Sequence, residues 1–158
     1  YGYDISDEAI EKGLEAAHMP ARIEVIRRHP LLLLDGCHNP DGASALASTL
    51  SEAGYEGNLV GVMGVLKDKD HGPMLEALSK TFDKVFTVTP DCPRAMTAEE
   101  LEHAARFHLD AEVGGTVREA IRKAVDYADF HNLAGVVVCG SLYLAAEARP
   151  ILLEEAEN

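Results

Sequence analysis

One stretch decides the fold of this chain: Leu31-Leu32-Leu33-Leu34-Asp35-Gly36-Cys37-His38-Asn39-Pro40-Asp41. Four leucines in a row are typical of a strand that is buried on both faces. The polarity then changes abruptly at Asp35. The apolar residues that follow recur at helical spacing: Ala43, Leu46, Ala47 and Leu50. Open α/β sheets bind ligands just beyond the carboxyl ends of their strands, so this polar turn between strand and helix is a candidate site.

The rest of the chain alternates apolar strands with amphipathic helices. The patterns predict strands at residues 22–27, 31–34, 58–65, 84–89 and 135–139, and a short strand that ends at residue 113. They predict helices at residues 7–17, 40–52 and 116–127, and a helix around residues 74–78. A further helix is predicted to begin after a cap at residue 97, and the last one to run from after residue 141 to about residue 155. Strands and helices in this order favour right-handed crossovers. We therefore expect one α/β domain over residues 1–158, with a doubly wound, mostly parallel sheet and helices on both faces.

Composition and charge exclude several classes of protein. Of the 158 residues, 47% are hydrophobic and 26% are charged, as in soluble globular proteins. Fourteen basic residues against 27 acidic ones give a net charge of −13, which argues against a nucleic-acid partner. No apolar run approaches the ~20 residues of a membrane helix, and the start has no signal-peptide pattern. We therefore expect neither a nucleic-acid nor a membrane partner.

Cysteine usage and the first residue give two further expectations. The three cysteines are widely spaced and form no CxxC pair, so neither a disulfide framework nor a zinc knuckle is predicted. A reducing, cytoplasmic location fits this usage best. Because the chain begins at Tyr1 instead of a methionine, we expect a fragment or a processed product.

Polar turns follow four of the predicted strands, at residues 35–41, 67–70, 90–94 and 140–141. Because the carboxyl ends of parallel strands share one edge of a sheet, we expect these turns to lie close together. They carry an acid, an imidazole, two cations and a hydroxyl: Asp35, His38, Lys69, Arg94 and Ser141. Such a set suits a polar, anionic ligand.

Each of these residues also has a purely structural interpretation. Asp35 is suited to capping its own turn, and Ser141 to capping the last helix. Lys69 and Arg94 could be ordinary solvated charges. No GxxxxGK[ST] phosphate loop occurs in the sequence, so an ATP-dependent function would need a phosphate cradle from elsewhere.

Five motifs in order resemble those of one family. Met19-Pro20-Ala21-Arg22 is similar to Trp-Pro-Gly-Arg, Asp35-Gly36-Cys37-His38-Asn39-Pro40 to Asp-Gly-Ala-His-Asn-Pro, and Gly64-Val65-Leu66-Lys67-Asp68-Lys69-Asp70 to Gly-x-x-x-Asp-Lys-Asp. Pro93-Arg94 with Thr97-Ala98-Glu99-Glu100-Leu101, and then Val138-Cys139-Gly140-Ser141-Leu142-Tyr143, continue the series. Over almost its whole length, the chain resembles the C-terminal domain of the folylpolyglutamate synthase/dihydrofolate synthase family, within the Mur ligase superfamily.

This resemblance implies a reaction. Members of the family use ATP to phosphorylate a folate carboxylate, and the amine of L-glutamate then attacks the acyl phosphate. The cofactors implied are ATP and Mg²⁺, and the substrates are L-glutamate and dihydropteroate or tetrahydrofolate. The P-loop and most magnesium ligands belong to a larger N-terminal domain that is absent from this chain. We therefore expect the isolated chain to be inactive, and the full enzyme to be a monomer.

The resemblance also implies roles for residues near the ATP. Arg22 would reach the ATP phosphates or the adenosine, and Asp35 would lie on the ribose or adenine side. His38 would be catalytic, near the acyl-transfer centre, where it contacts glutamate or a metal-bound oxygen. No metal ligand is assigned in this domain. Met19 and Ala21 stand where the family has Trp and Gly, so adenine stacking on that Trp is not expected here.

The glutamate site is implied at the other turns. Lys69 and Ser141 would hold the glutamate carboxylates, with Tyr143 nearby. Two alternatives remain: another Mur-type amide ligase acting on a peptidoglycan precursor, and a non-catalytic α/β module that binds a nucleotide or an amino acid. A phosphoacceptor receiver domain fits less well, because Asp35 has no adjacent acidic partner.

Overall fold

A computed structural model describes residues 5–16 and 19–157. Its strands are β1 (Glu24–Arg28), β2 (Leu31–Leu34), β3 (Leu59–Met63), β4 (Phe82–Val88), β5 (Ala111–Gly115) and β6 (Gly135–Cys139). Its helices are α1 (Asp7–Ala16), α2 (Pro40–Glu52), α3 (His71–Leu78), α4 (Ala98–Ala105), α5 (Val117–His131) and α6 (Leu142–Glu157). Every predicted element is found. Residue 17, the predicted end of the first helix, lies outside the described residues.

The six strands form one sheet in the order β1-β2-β6-β3-β4-β5. The five strands β2, β6, β3, β4 and β5 run parallel to one another. Strand β1, at the edge, is antiparallel to β2. Only His29 and Pro30 separate β1 from β2, and so short a connection cannot make a parallel crossover. The doubly wound, mostly parallel α/β fold is confirmed.

Two apolar layers enclose the sheet, one on each face. Leu31 and Leu33 pack with residues of α2, α3 and α4, while Leu32 and Leu34 pack with residues of α5 and α6. All four leucines are buried because β2 lies inside the sheet with helices on both sides. Burying each such side chain contributes about 1.5–3 kcal/mol. No described helix is long and apolar enough to cross a membrane.

Local capping fixes where the helices begin. The Asn39 side chain accepts a hydrogen bond from a backbone N–H in the first turn of α2. Thr97, the predicted cap, forms a capping box with Glu100 at the start of α4, and Thr116 and Glu119 form a second one at the start of α5. These caps satisfy backbone N–H groups in the first turns of three helices that follow strands of the sheet.

Candidate functional site at the carboxyl edge of the sheet

Two neighbouring clefts open at the carboxyl edge of the parallel strands. The first has a volume of about 320 Å³ and lies between the chain before β1, the end of β2 and the start of α2. The second, of about 150 Å³, lies between the turns after β2, β3, β4 and β6. His38 lines both clefts. Together they bring six sequence-predicted site residues to one edge: Arg22, Asp35 and His38 in the first, and His38, Lys69, Ser141 and Tyr143 in the second.

Arg22 is presented by a strained backbone segment, residues 19–23, here termed the Arg22 loop. Ala21 and Ile23, on either side of Arg22, have φ values of 56° and 46°. Such left-handed backbone is unusual for a residue with a side chain, above all a β-branched one, and costs about 1–3 kcal/mol at each position. Strain of this size persists only where the surroundings hold the backbone in place.

Asp35 helps to keep the backbone of the Arg22 loop in place. Its carboxyl group is buried, with the residue only 5% exposed. Oδ2 accepts a hydrogen bond from the N–H of Ile23 at 2.9 Å, and Oδ1 accepts one from the N–H of Cys37 at 2.8 Å. The N–H of Gly36 donates to the carbonyl of Ala21 at 2.7 Å. Asp35 therefore caps its own turn and also fastens the Arg22 loop to it.

His38 stands between the two clefts and is half-buried. Its Nδ1 lies 3.2 Å from the carbonyl oxygen of Gly36. The tautomer with the proton on Nδ1 donates to that carbonyl and leaves the lone pair on Nε2. An imidazole fixed in this way can accept a proton or a hydrogen bond at Nε2, as a general base requires.

The turns after β3 and β4 are joined to each other. The N–H of Lys67 donates to the carbonyl of Arg94 at 2.8 Å, within a short antiparallel bridge between Leu66 and Ala95. This bridge places two cations, Lys69 and Arg94, beside the second cleft. Sequence reasoning placed Arg94 at this edge but gave it no role.

Asp68 lies between these two cations. Its Oδ2 is 3.3 Å from Nη1 of Arg94 and 3.8 Å from Nζ of Lys69. A hydrogen bond with the Tyr143 side chain, together with the charge of Asp68, raises the pKa of Arg94 above its usual value. The second cleft therefore carries fixed positive charge beside a phenol and suits an anionic ligand.

Ser141 closes the second cleft and caps α6. The residue is 1% exposed, and its Oγ accepts a hydrogen bond from the N–H of Leu144 at 3.0 Å. The preceding Gly140 has a φ of 115°, and a Cβ there would lie 2.7 Å from the carbonyl oxygen of Gly64. This close approach of two strand ends requires glycine. The cap leaves the Ser141 hydroxyl hydrogen available as a donor.

Other chemistry near the site is limited. Cys37 and Cys139 are buried and free, and a hydrogen bond with Cys37 together with burial raises the pKa of the Cys139 thiol well above its usual value. The Cys139 thiol is therefore a poor nucleophile. Among residues 5–16 and 19–157, no group of three or more His, Cys, Asp or Glu side chains is arranged to hold a metal ion.

An ion pair behind the Arg22 loop was missed by sequence reasoning. Glu24 of β1 is buried and pairs with Arg149 of α6, 125 residues away. The available signal was an acidic residue in a strand whose neighbours are apolar, but nothing in the sequence gives its partner.

This doubly wound fold matches that of a known ligase domain. The family model described as "Mur ligase, glutamate ligase domain" matches residues 21–142. The chain belongs to this family.

Its relatives make the resemblance more specific. The chain is 41% identical to a probable bifunctional folylpolyglutamate synthase/dihydropteroate synthase of Halobacterium salinarum, over 92% of this chain and 18% of that protein. It is 37% identical to the dihydrofolate synthase/folylpolyglutamate synthase of Mycobacterium tuberculosis, over 93% of this chain and 33% of that protein. The chain thus spans a third or less of the length of these relatives.

Solved structures give the same result. The folylpolyglutamate synthase of Mycobacterium tuberculosis complexed with ADP and AMPPCP superposes with a TM-score of 0.88 and 34% identity, covering 94% of this chain and 36% of that one. A bifunctional folylpolyglutamate synthase/dihydrofolate synthase with Mn, AMPPNP and L-glutamate bound has a TM-score of 0.74 and 33% identity, covering 92% of this chain and 35% of that one. The sequence-based resemblance to this family is confirmed.

Proposed function

We propose that this chain is the glutamate- and ATP-contacting domain of an ATP-dependent ligase that adds L-glutamate to dihydropteroate or tetrahydrofolate through an acyl phosphate. One observation carries the proposal: two clefts, one beside Arg22 and one beside Lys69 and Ser141, share the imidazole of His38. A reaction between an activated carboxylate and an amine needs such adjacent sites for its two reactants. The names of the relatives support folate as the carboxylate substrate.

The first cleft is assigned to ATP. Arg22 binds the phosphates or the adenosine, since a guanidinium is suited to phosphate oxygens. Asp35 lies on the ribose or adenine side. Because both its oxygens already accept backbone N–H groups, its main contribution is to hold the Arg22 loop in shape.

The second cleft is assigned to L-glutamate. Lys69 and Ser141 bind its carboxylates, and Tyr143 lies beside them. His38, at the boundary of the two clefts, contacts the incoming amine and accepts its proton as the amide bond forms. The leaving group is phosphate, and the nitrogen electron pair forms the new bond to carbon. Orientation of the two reactants supplies most of the rate.

The phosphate cradle and the metal are assigned to the remainder of the parent protein. Among the described residues, no group of three or more His, Cys, Asp or Glu side chains is arranged to hold Mg²⁺. We propose that the parent enzyme carries a P-loop domain N-terminal to this one, that it is a monomer in the cytoplasm, and that it binds neither nucleic acid nor membranes.

The test measures ATP-dependent incorporation of labelled L-glutamate by the full-length parent protein. Dihydropteroate, tetrahydrofolate and a UDP-muramoyl acceptor are offered separately. We expect incorporation with the pterins and a raised KM for glutamate in Lys69→Met. The matched control is Lys80→Met, because Lys80 is an exposed lysine outside both clefts. Incorporation only with the muramoyl acceptor would move the chain to a sister ligase, and no incorporation by folded protein would overturn the proposal.

A further inference from the structure

We infer that Glu24 and Arg149 are positioning residues. They hold the backbone of the Arg22 loop and so direct the Arg22 side chain into the first cleft. The inference rests on the proposed role of Arg22 in ATP binding. Neither Glu24 nor Arg149 lines either cleft.

The pair itself is a buried, two-pronged contact. Arg149 Nε lies 3.0 Å from Oε1 and 3.2 Å from Oε2 of Glu24, and Nη2 lies 2.8 Å from Oε1. The Glu24 side chain is 4% exposed, while that of Arg149 is 38% exposed. A planar guanidinium that grips both carboxylate oxygens fixes the carboxylate in position and in orientation. Arg149 of α6 therefore anchors the buried Glu24 carboxylate of β1.

Glu24 passes this restraint to the loop. Its Oε2 also accepts a hydrogen bond from the N–H of Ala21 at 2.9 Å. On the other side of Arg22, the N–H of Ile23 donates to Asp35. The two left-handed residues that flank Arg22 are thus each held by a buried carboxylate. Asp35 is positioned by its place at the end of β2, whereas the orientation of the Glu24 carboxylate is set in part by the two-pronged contact with Arg149.

Loss of the Arg149 charge would release one side of the loop. Removing the guanidinium takes away a two-pronged contact that fixes the orientation of the Glu24 carboxylate, and it makes the charged form of this buried group less favourable. Both effects weaken the bond to the N–H of Ala21. The strained backbone at Ala21 would then relax, and Arg22 would leave its position in the first cleft.

The test is a double-mutant cycle in the full-length parent protein. The variants are Arg22→Ala, Arg149→Met and the double variant. The matched control is Arg118→Met, since Arg118 pairs with Glu154 at 2.7 Å and also joins α6 to a neighbouring element, but at an exposed position. We expect each single variant in the cycle to raise the KM for ATP about tenfold, the effect of one charge-assisted hydrogen bond. The double variant should be no worse than Arg22→Ala, and the KM for glutamate should stay unchanged in all of them.

A purely structural pair would behave differently. It would give additive losses in the cycle, or an unchanged KM for ATP in Arg149→Met, and either result would overturn the inference while leaving the ligase function intact. Arg149→Lys keeps the charge without the two-pronged grip, so we expect an intermediate KM for ATP. It also serves as the test variant if Arg149→Met does not fold.

Amide hydrogen exchange gives a readout that does not depend on activity. We expect faster exchange at Ala21 and Ile23 in Arg149→Met and unchanged exchange in Arg118→Met. Unchanged exchange in both would overturn the inference. If the unaltered protein shows no ligase activity, the proposed function fails, and the exchange rates still decide whether Arg149 holds the loop.

Discussion

The Asp35 carboxylate accepts a hydrogen bond from the backbone N–H of Ile23 at 2.9 Å, joining the end of β2 to the segment that precedes β1. Its other oxygen accepts from the N–H of Cys37 at 2.8 Å. One buried side chain therefore fixes two walls of the first cleft. The structural and functional interpretations of Asp35 are consequently not alternatives.

Replacing Asp35 should cost stability as well as activity. We expect Asp35→Ala to lower ligation by the full-length protein, because Asp35 holds the Arg22 loop. Because the variant also leaves two backbone N–H groups without their carboxylate, we expect the free energy of unfolding to fall by about 2–4 kcal/mol in urea titrations. Asp41→Ala, at an exposed residue of the same turn, is the control and should change it by less than about 1 kcal/mol. Equal stability of Asp35→Ala and the unaltered chain would contradict this role.

Glycine at residue 21 should stabilise the chain. Ala21 has a φ of 56°, a conformation that costs about 1–2 kcal/mol for a residue with a Cβ and little for glycine. After the entropic penalty of glycine, Ala21→Gly should raise the free energy of unfolding by about 0.5–1 kcal/mol, measured in urea. The reverse change at Gly54, whose φ is 84° with open space around it, should lower it by about 1 kcal/mol. A destabilised Ala21→Gly would show that the loop is not strained as described.

His38→Ala should lower kcat without affecting the fold. Within the described residues the ring forms a single hydrogen bond, between Nδ1 and the carbonyl oxygen of Gly36, so its loss removes little stability. If Nε2 accepts the proton of the attacking amine, kcat in the full-length protein should fall about 10²–10⁴-fold. His103→Ala, at an exposed histidine of α4, should have normal kcat. A fall in kcat of less than about threefold in His38→Ala would assign the proton transfer to another group.

Low pH should destabilise the first turn of α5 by protonating Glu119 of its capping box. The N–H and hydroxyl of Thr116 both donate to the Glu119 carboxylate, and these hydrogen bonds lower its pKa below the usual value. A carboxyl group with a lowered pKa in the folded state contributes stability that is complete above its unfolded pKa of about 4.3 and is lost as the pH falls through the folded value. The protection factors of the amides in the first turn of α5, which correct for the intrinsic slowing of exchange in acid, should therefore fall as the pH drops below about 4.3.

The control for this pH dependence is Glu119→Gln. The amide oxygen can still accept from Thr116 but does not titrate in this range, so the acid-dependent fall in the protection factors should disappear. An identical fall in Glu119→Gln would assign the effect to other carboxyl groups.

Sequence patterns located most of the fold. The leucine strand and the strand at Gly135–Cys139 match the prediction because burial on both faces leaves an unbroken apolar run. Helix α5 extends to His131, four residues beyond the prediction. Residues 129–131 of that last turn are exposed, and Tyr127 stacks on His131 with ring centroids 4.1 Å apart. Ala128 continues the buried face of the helix, but apolar periodicity gives no sign of the residues after it.

The sequence by itself determined the order of strands and helices along the chain and the positions of the polar turns, since each depends on residues within a short span. Six of the residues that line the clefts were named from these turns and from motifs that resemble those of the family. Only the tertiary structure decided that His38 joins two clefts and that Glu24 meets Arg149. These features depend on contacts between residues up to 125 positions apart. Such contacts form only when the crossovers of the sheet bring distant segments together, and no local periodicity encodes them.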